Sequence, residues 1–150
     1  MDVDRSAPVQ RRDALEIDAS PDVVWSVLTD LESWPDWMPG VRSVEVEGPF
    51  AVGMQFRWKS GGTRLVSTVM DASPGHSAGW RGKTLGIEAS HVWRLQSQDG
   101  RRTHVVTEES WSGVLPRLFR RYAERIVSKA LAEGLAALGA EAARRKRPPH

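Results

Sequence analysis

Two neighbouring stretches, IEASHVWRLQS (87–97) and RTHVVTEESWS (102–112), carry the side chains best suited to proton chemistry, His91 and Glu109. The residues between them, Asp99-Gly100-Arg101, have the make-up of a three-residue hairpin loop. With Gln98 set opposite Arg102, alternation places Leu95 across from Val105, Trp93 across from Thr107 and His91 across from Glu109, all on one face. Leu95, Trp93, Val105 and Trp111 make that the apolar face. An imidazole and a carboxyl side by side on an apolar wall have pKa values open to shift by burial and by each other. Such a pair could act as general acid and base in an enolisation, an aldol cyclisation or a dehydration. It could also be structural, with Glu109 only orienting and neutralising His91, or it could anchor a ligand. A bulge in either strand would turn one partner outward and dissolve the pair.

The elements that must hold this pair can be read from the same sequence. Six stretches alternate and are separated by turn residues: 41–48, 53–60, 63–72, 76–84, 87–97 and 102–112. Ala14-Leu15-Glu16-Ile17 marks an earlier strand within 9–17. Such short links enforce antiparallel neighbours, since a parallel crossover needs about a dozen residues or more. Between the first strand and the rest, Ser20 is a good N-cap, Pro21 suits the first helical position, and Val23, Val24, Val27 and Leu28 fall at helical spacing. The segment LESWPDWMPG (31–40) follows, too broken by Pro35 and Pro39 to continue that helix. From Val114 the period changes. Leu115, Leu118, Phe119, Tyr122, Ile126, Ala130 and Leu138, with Leu131, Gly134 and Leu135 continuing the stripe, predict one long helix running to about residue 143. The fold class is therefore α+β: a curved seven-stranded antiparallel sheet wrapped around a long C-terminal helix, with two short helices after the first strand. A gap between sheet and helix is the natural small-molecule site.

Seven tryptophans in 150 residues supply large, rigid walls. Met54, Phe56 and Trp58 alternate on one face of their strand, and Trp80, Trp93, Thr107 and Trp111 extend the candidate wall for a flat or polycyclic ligand. Tyr122, on the stripe of the last helix, can offer its hydroxyl. If 31–40 is a lid, Trp34 is its structural plug, while Trp37 and Met38 are expected to touch ligand. His76 and His104 lie away from His91, so a shared metal is not expected. HExxH, P-loop and GxGxxG patterns are absent.

Composition sets the bounds. The chain is 40% hydrophobic and 27% charged, which is ordinary for a single globular domain. It has no cysteine, so disulfide and thiolate chemistry are excluded. No apolar run approaches the roughly 20 residues that span a bilayer, so stable membrane insertion is not expected and a cytoplasmic protein is. Residues 1–8 are expected to be disordered, 9–143 to form the domain and 144–150 a basic tail. The formal net charge is only +2, and Arg117, Arg120, Arg121 and Arg125 read first as a solvated helix face. No nucleic-acid partner is expected, and oligomeric state is left open.

The element order and three local motifs resemble the START/Bet v 1-like (SRPBCC) superfamily, in particular its polyketide cyclase/dehydrase branch. The motifs are IDASPDVVWSVLTDLESWPDWMPGV, QDGRRTHVV and EESWSGVLPRLFRRYAERI, and the resemblance covers about residues 10 to 143. It implies the helix-grip fold, with two short helices closing one end of a deep apolar cavity, and no cofactor or metal. The superfamily includes carriers, aromatase/cyclases and chaperone-like proteins, and it has no universal catalytic residue set to carry over. Three functions follow as expectations. The first is binding of a polyketide-, lipid- or isoprenoid-like molecule. The second is polyketide aromatase/cyclase chemistry at His91 and Glu109. The third is an interaction module using the arginines of the last helix.

Overall fold

The computed structural model describes residues 1–146. Ser20 caps α1 (Pro21–Thr29) by accepting from the Val23 N–H, and Pro21 opens the helix. A short 3-10 turn (Leu31–Ser33) and α2 (Trp34–Trp37) follow, the latter starting at Trp34-Pro35 and stopping where Met38 turns extended ahead of Pro39. Seven strands, β1 (Val9–Ile17), β2 (Val41–Val46), β3 (Gln55–Ser60), β4 (Thr63–Ser73), β5 (Ser77–Thr84), β6 (Ile87–Ser97) and β7 (Thr103–Ser112), form one antiparallel sheet in the order β1-β7-β6-β5-β4-β3-β2. Only β1 is out of sequence, pairing with the last strand. The sheet is bulged between Val41 and Ser43 and between Val69 and Asp71, which adds curvature.

The last segment is not one helix. α3 (Val114–Leu118) and α4 (Arg120–Arg145) meet at Phe119, whose backbone (φ −118°, ψ 44°) leaves the helical region. The chain enters α3 through Gly113 at φ 117°. There a side chain would collide with the Gly86 carbonyl 2.4 Å away, so strand and helix approach as only glycine permits.

The residues of α4 that the core buries are Ala123, Val127, Leu131, Gly134, Leu135, Leu138 and Ala142. Leu131, Gly134, Leu135 and Leu138 belong to the expected stripe, but Tyr122, Ile126 and Ala130 of that stripe are not among the buried residues. Those three lie on the neighbouring row, which faces a cavity instead of packed side chains. The second half of α4 joins Val24, Val27, Leu28, Trp34 and Phe56 in the main core.

The N-terminal segment is not disordered. Val3 and Ala7 are buried, and Arg5 together with Arg94 holds Glu108 at 2.8 and 2.6 Å. Polar composition is a poor guide here, because Asp2, Asp4 and Arg5 are hydrogen-bonded to Arg94, Ser110 and Glu108 on the outer face of the sheet. Of the basic tail, α4 takes Arg144 and Arg145, and Arg145 pairs with Asp30 and Glu141. Residues 147–150 lie outside the described residues.

Candidate functional site

β6 and β7 pair without a bulge, in the register the hairpin loop predicts: Leu95 with Val105, Trp93 with Thr107 and His91 with Glu109. The next strand continues the row, since Trp80 is directly opposite His91. Two residues further along each strand, toward the β3–β4 and β5–β6 turns, the next row on the same face reads Ser67, Gly82, Ala89 and Trp111. Three small residues in adjacent strands leave the sheet face bare, and a cavity of about 660 Å³ occupies the space between them and the first half of α4. That volume suits a drug-sized ligand. Leu115, Phe119, Tyr122 and Ile126 form the wall across from the sheet. The Trp34 ring packs against Trp58 and Trp80, both on the cavity wall, so α2 closes the floor. The mouth lies at the opposite end, between the β3–β4 and β5–β6 turns and the α3–α4 junction.

The polar groups in this apolar space are few. His91 is wedged between the rings of Trp80 and Trp93, with centroids 5.3 and 5.0 Å away. Its Nε2 lies 2.8 Å from the Thr107 hydroxyl, and that hydroxyl donates to the Val92 carbonyl at 3.3 Å. With its own proton committed, the hydroxyl accepts, which assigns the His91 proton to Nε2 and leaves a lone pair on Nδ1. Nδ1 faces the Glu109 carboxyl 3.5 Å away. Burial drives the imidazole down to about 3, so it is neutral at pH 7. Burial pushes the Glu109 carboxyl up to about 7, with the Trp111 indole working in the opposite direction. The Trp111 N–H is near that carboxyl but falls short of hydrogen-bond geometry, and with Trp93 Nε1 it is buried without a partner. The site thus holds a neutral imidazole facing a carboxyl poised near half-protonation, not an imidazolium–carboxylate ion pair.

Of the residues singled out in the sequence, His91, Glu109, Trp58, Trp80, Trp111 and Tyr122 stand on the cavity wall. Six do not. Phe56 is fully buried edge-on to Trp34, and Trp93 lies behind His91, packed toward Gly134. Thr107 is buried and acts through the His91 ring. Met54 belongs to a smaller cleft beside Phe50. Trp37 donates to the Ser33 hydroxyl at 3.0 Å, and Met38 packs near Gly134. The expected gate at Trp37 and Met38 is therefore at the closed end, away from the mouth. Ser67, Gly82 and Ala89 were missed, although the alternation that turns His91 inward also turns Ala89 inward. The signal was smallness in register, and it shows only once β4, β5 and β6 are aligned.

A curved antiparallel sheet gripping a long helix over an apolar cavity defines the class of small-molecule-cavity proteins with the helix-grip fold. Residues 9–143 match the family described as polyketide cyclase / dehydrase and lipid transport, and the chain belongs to that family. No curated protein matches it by sequence. Among solved structures, the Zhui aromatase/cyclase from a Streptomyces species superposes with a TM-score of 0.81 at 22% identity, over 92% of this chain and 95% of its own. A START superfamily protein from Mycobacterium smegmatis gives 0.76 at 14% identity, over 90% and 97%. A point mutant of norcoclaurine synthase from Thalictrum flavum, in complex with a transition-state analogue, gives 0.73 at 16% identity, over 92% and 96%. At these identities the likeness is one of fold.

Proposed function

We propose that this protein binds a hydrophobic or aromatic small molecule, polyketide-, lipid- or isoprenoid-like, in the cavity between sheet and α4. The observation that carries this reading is the cavity itself: about 660 Å³ of apolar space whose lining offers one ionisable pair, His91 and Glu109. Affinity would come from apolar and aromatic contact, and orientation from that pair. With no cysteine to protect or oxidise, a reducing compartment suits the chain, and the cytoplasm is the location we propose. The test is native mass spectrometry of the protein from its own host, beside the Ala89→Leu variant. A retained small molecule in the parent and none in the variant is expected. No ligand in either, together with no uptake of the fluorescent probe anilinonaphthalene sulfonate, would sink the reading.

A second reading is polyketide aromatase/cyclase activity. It is favoured by the bare Nδ1 lone pair of His91 beside a carboxyl near neutrality, since that pair could give one proton and take another during enolisation and aldol closure. The cavity would contribute by folding the chain into a reactive conformation. Replacing His91 and Glu109 together by Ala is expected to lower the cyclisation rate while binding persists. An undiminished rate would overturn it.

A further inference from the structure

We propose that the rim of the cavity mouth is a docking surface for an anionic lipid bilayer. The large apolar residues at this end fall into two groups. Leu115, Phe119, Tyr122 and Ile126 are exposed because they face the cavity. Leu85, Val114 and Leu118 do not line it, yet they are 91%, 67% and 69% exposed. Leu85 tips the β5–β6 turn, and Val114 and Leu118 lie four residues apart on one face of α3. The two tips adjoin, because Gly86 packs on Leu115 and Gly113 on the Gly86 carbonyl. Apolar side chains thus project into solvent beside the opening of an apolar cavity.

The charge around them is one-sided. From Val114 to Ala130 the chain has five cations, Arg117, Arg120, Arg121, Arg125 and Lys129, and one acid, Glu124. Glu124 is held by Arg11 and Arg120. Arg117, on α3 with Val114 and Leu118, and Arg121 and Arg125, in the first turns of α4 that follow, are exposed and take part in no ion pair among the described residues. Apolar tips with arginines at their flanks match an interface in which the tips enter the acyl boundary and the guanidinium groups meet lipid phosphates. The apolar tips come from two separate elements, the β5–β6 turn and α3, at the edge of the cavity opening. A fluid surface fits around such a rim, whereas a rigid partner would have to be carved to it. Docked this way, the cavity opens into lipid, and a hydrophobic ligand passes between them without crossing water. That last step rests on the binding reading above; the docking does not.

The experiment is co-sedimentation of the full chain with phosphatidylcholine vesicles, with and without phosphatidylserine, at physiological salt. Retention on the anionic vesicles and little on the neutral ones is expected. The double variant Leu85→Asp/Leu118→Asp is expected to lose about tenfold in vesicle affinity. Uptake of anilinonaphthalene sulfonate without vesicles should stay within about twofold, because neither residue lines the cavity. Probe uptake measured alone keeps a failure of the binding reading separate from a failure of docking. Absence of retention on anionic vesicles, or retention indifferent to the double variant, overturns the proposal. So does a concentration-dependent dimer that Leu118→Asp abolishes, which would give the face to a second copy of the chain.

Discussion

Glu109 is held up near 7 and His91 down near 3, so across the neutral range the pair passes from acid–imidazole to carboxylate–imidazole. The sign of the pH dependence follows. Between 4.5 and about 7 the folded Glu109 binds its proton more tightly than the unfolded one, so stability from this group is full below 4.5 and is lost as pH rises through 7. His91 acts in the opposite sense from about 3 to 6.5, and the two nearly cancel where the windows overlap. Glu109→Gln removes one side of the balance. Urea unfolding should find the variant gaining on the parent by up to about 3 kcal/mol between pH 4.5 and 8; parallel stability curves would contradict the buried carboxyl. Thr107→Val is expected to cost about 1–3 kcal/mol, because it strips the His91 N–H of its buried acceptor. Equilibrium denaturation measures it.

Elements were legible where alternation and turn chemistry agree. The β6–β7 register followed from Asp99-Gly100-Arg101 alone, and Gln98 does donate its N–H to the Arg102 carbonyl at 3.0 Å. The Ser20-Pro21 start of α1 was equally plain, and Ser20→Ala should lower the melting temperature by an amount worth about 1 kcal/mol. The break at Phe119 was not legible, since Leu115, Leu118 and Tyr122 keep helical spacing straight through it. In α4 the buried row was legible from Leu131 to Leu138 but not at Ala123 and Val127. A cavity-facing stripe and a core-facing stripe are both apolar, and spacing cannot say which one meets atoms and which meets space. The cavity between sheet and helix was expected, but the part of its wall made by Ser67, Gly82 and Ala89 was not, because those residues are small and carry no apolar signal. Ala89→Leu should abolish probe uptake while leaving the unfolding midpoint nearly unchanged, since the added side chain enters open volume.

At the scale of the molecule, LESWPDWMPG is the plug of the closed end. Trp34 is fully buried, donates its indole N–H to the Leu28 carbonyl at 3.0 Å, and packs on Phe56, Trp58 and Trp80. Trp34→Ala should destabilise by about 3–5 kcal/mol in denaturant titration. Trp37→Ala, at the far end from the mouth, should leave ligand uptake unaltered; slowed uptake would return the gate to this segment. The division of α4 has a consequence for motion. Its second half is packed into the main core, while its first half packs through Ala123 and Val127 on Val9 and turns Tyr122, Ile126 and Ala130 onto empty volume. Amide protons from Arg120 to Lys129 should exchange with solvent through local openings, orders of magnitude faster than those from Leu131 to Ala142, which wait for global unfolding. A ligand filling the cavity would slow the first group alone, so hydrogen exchange along this one helix would read out occupancy before the ligand has been identified.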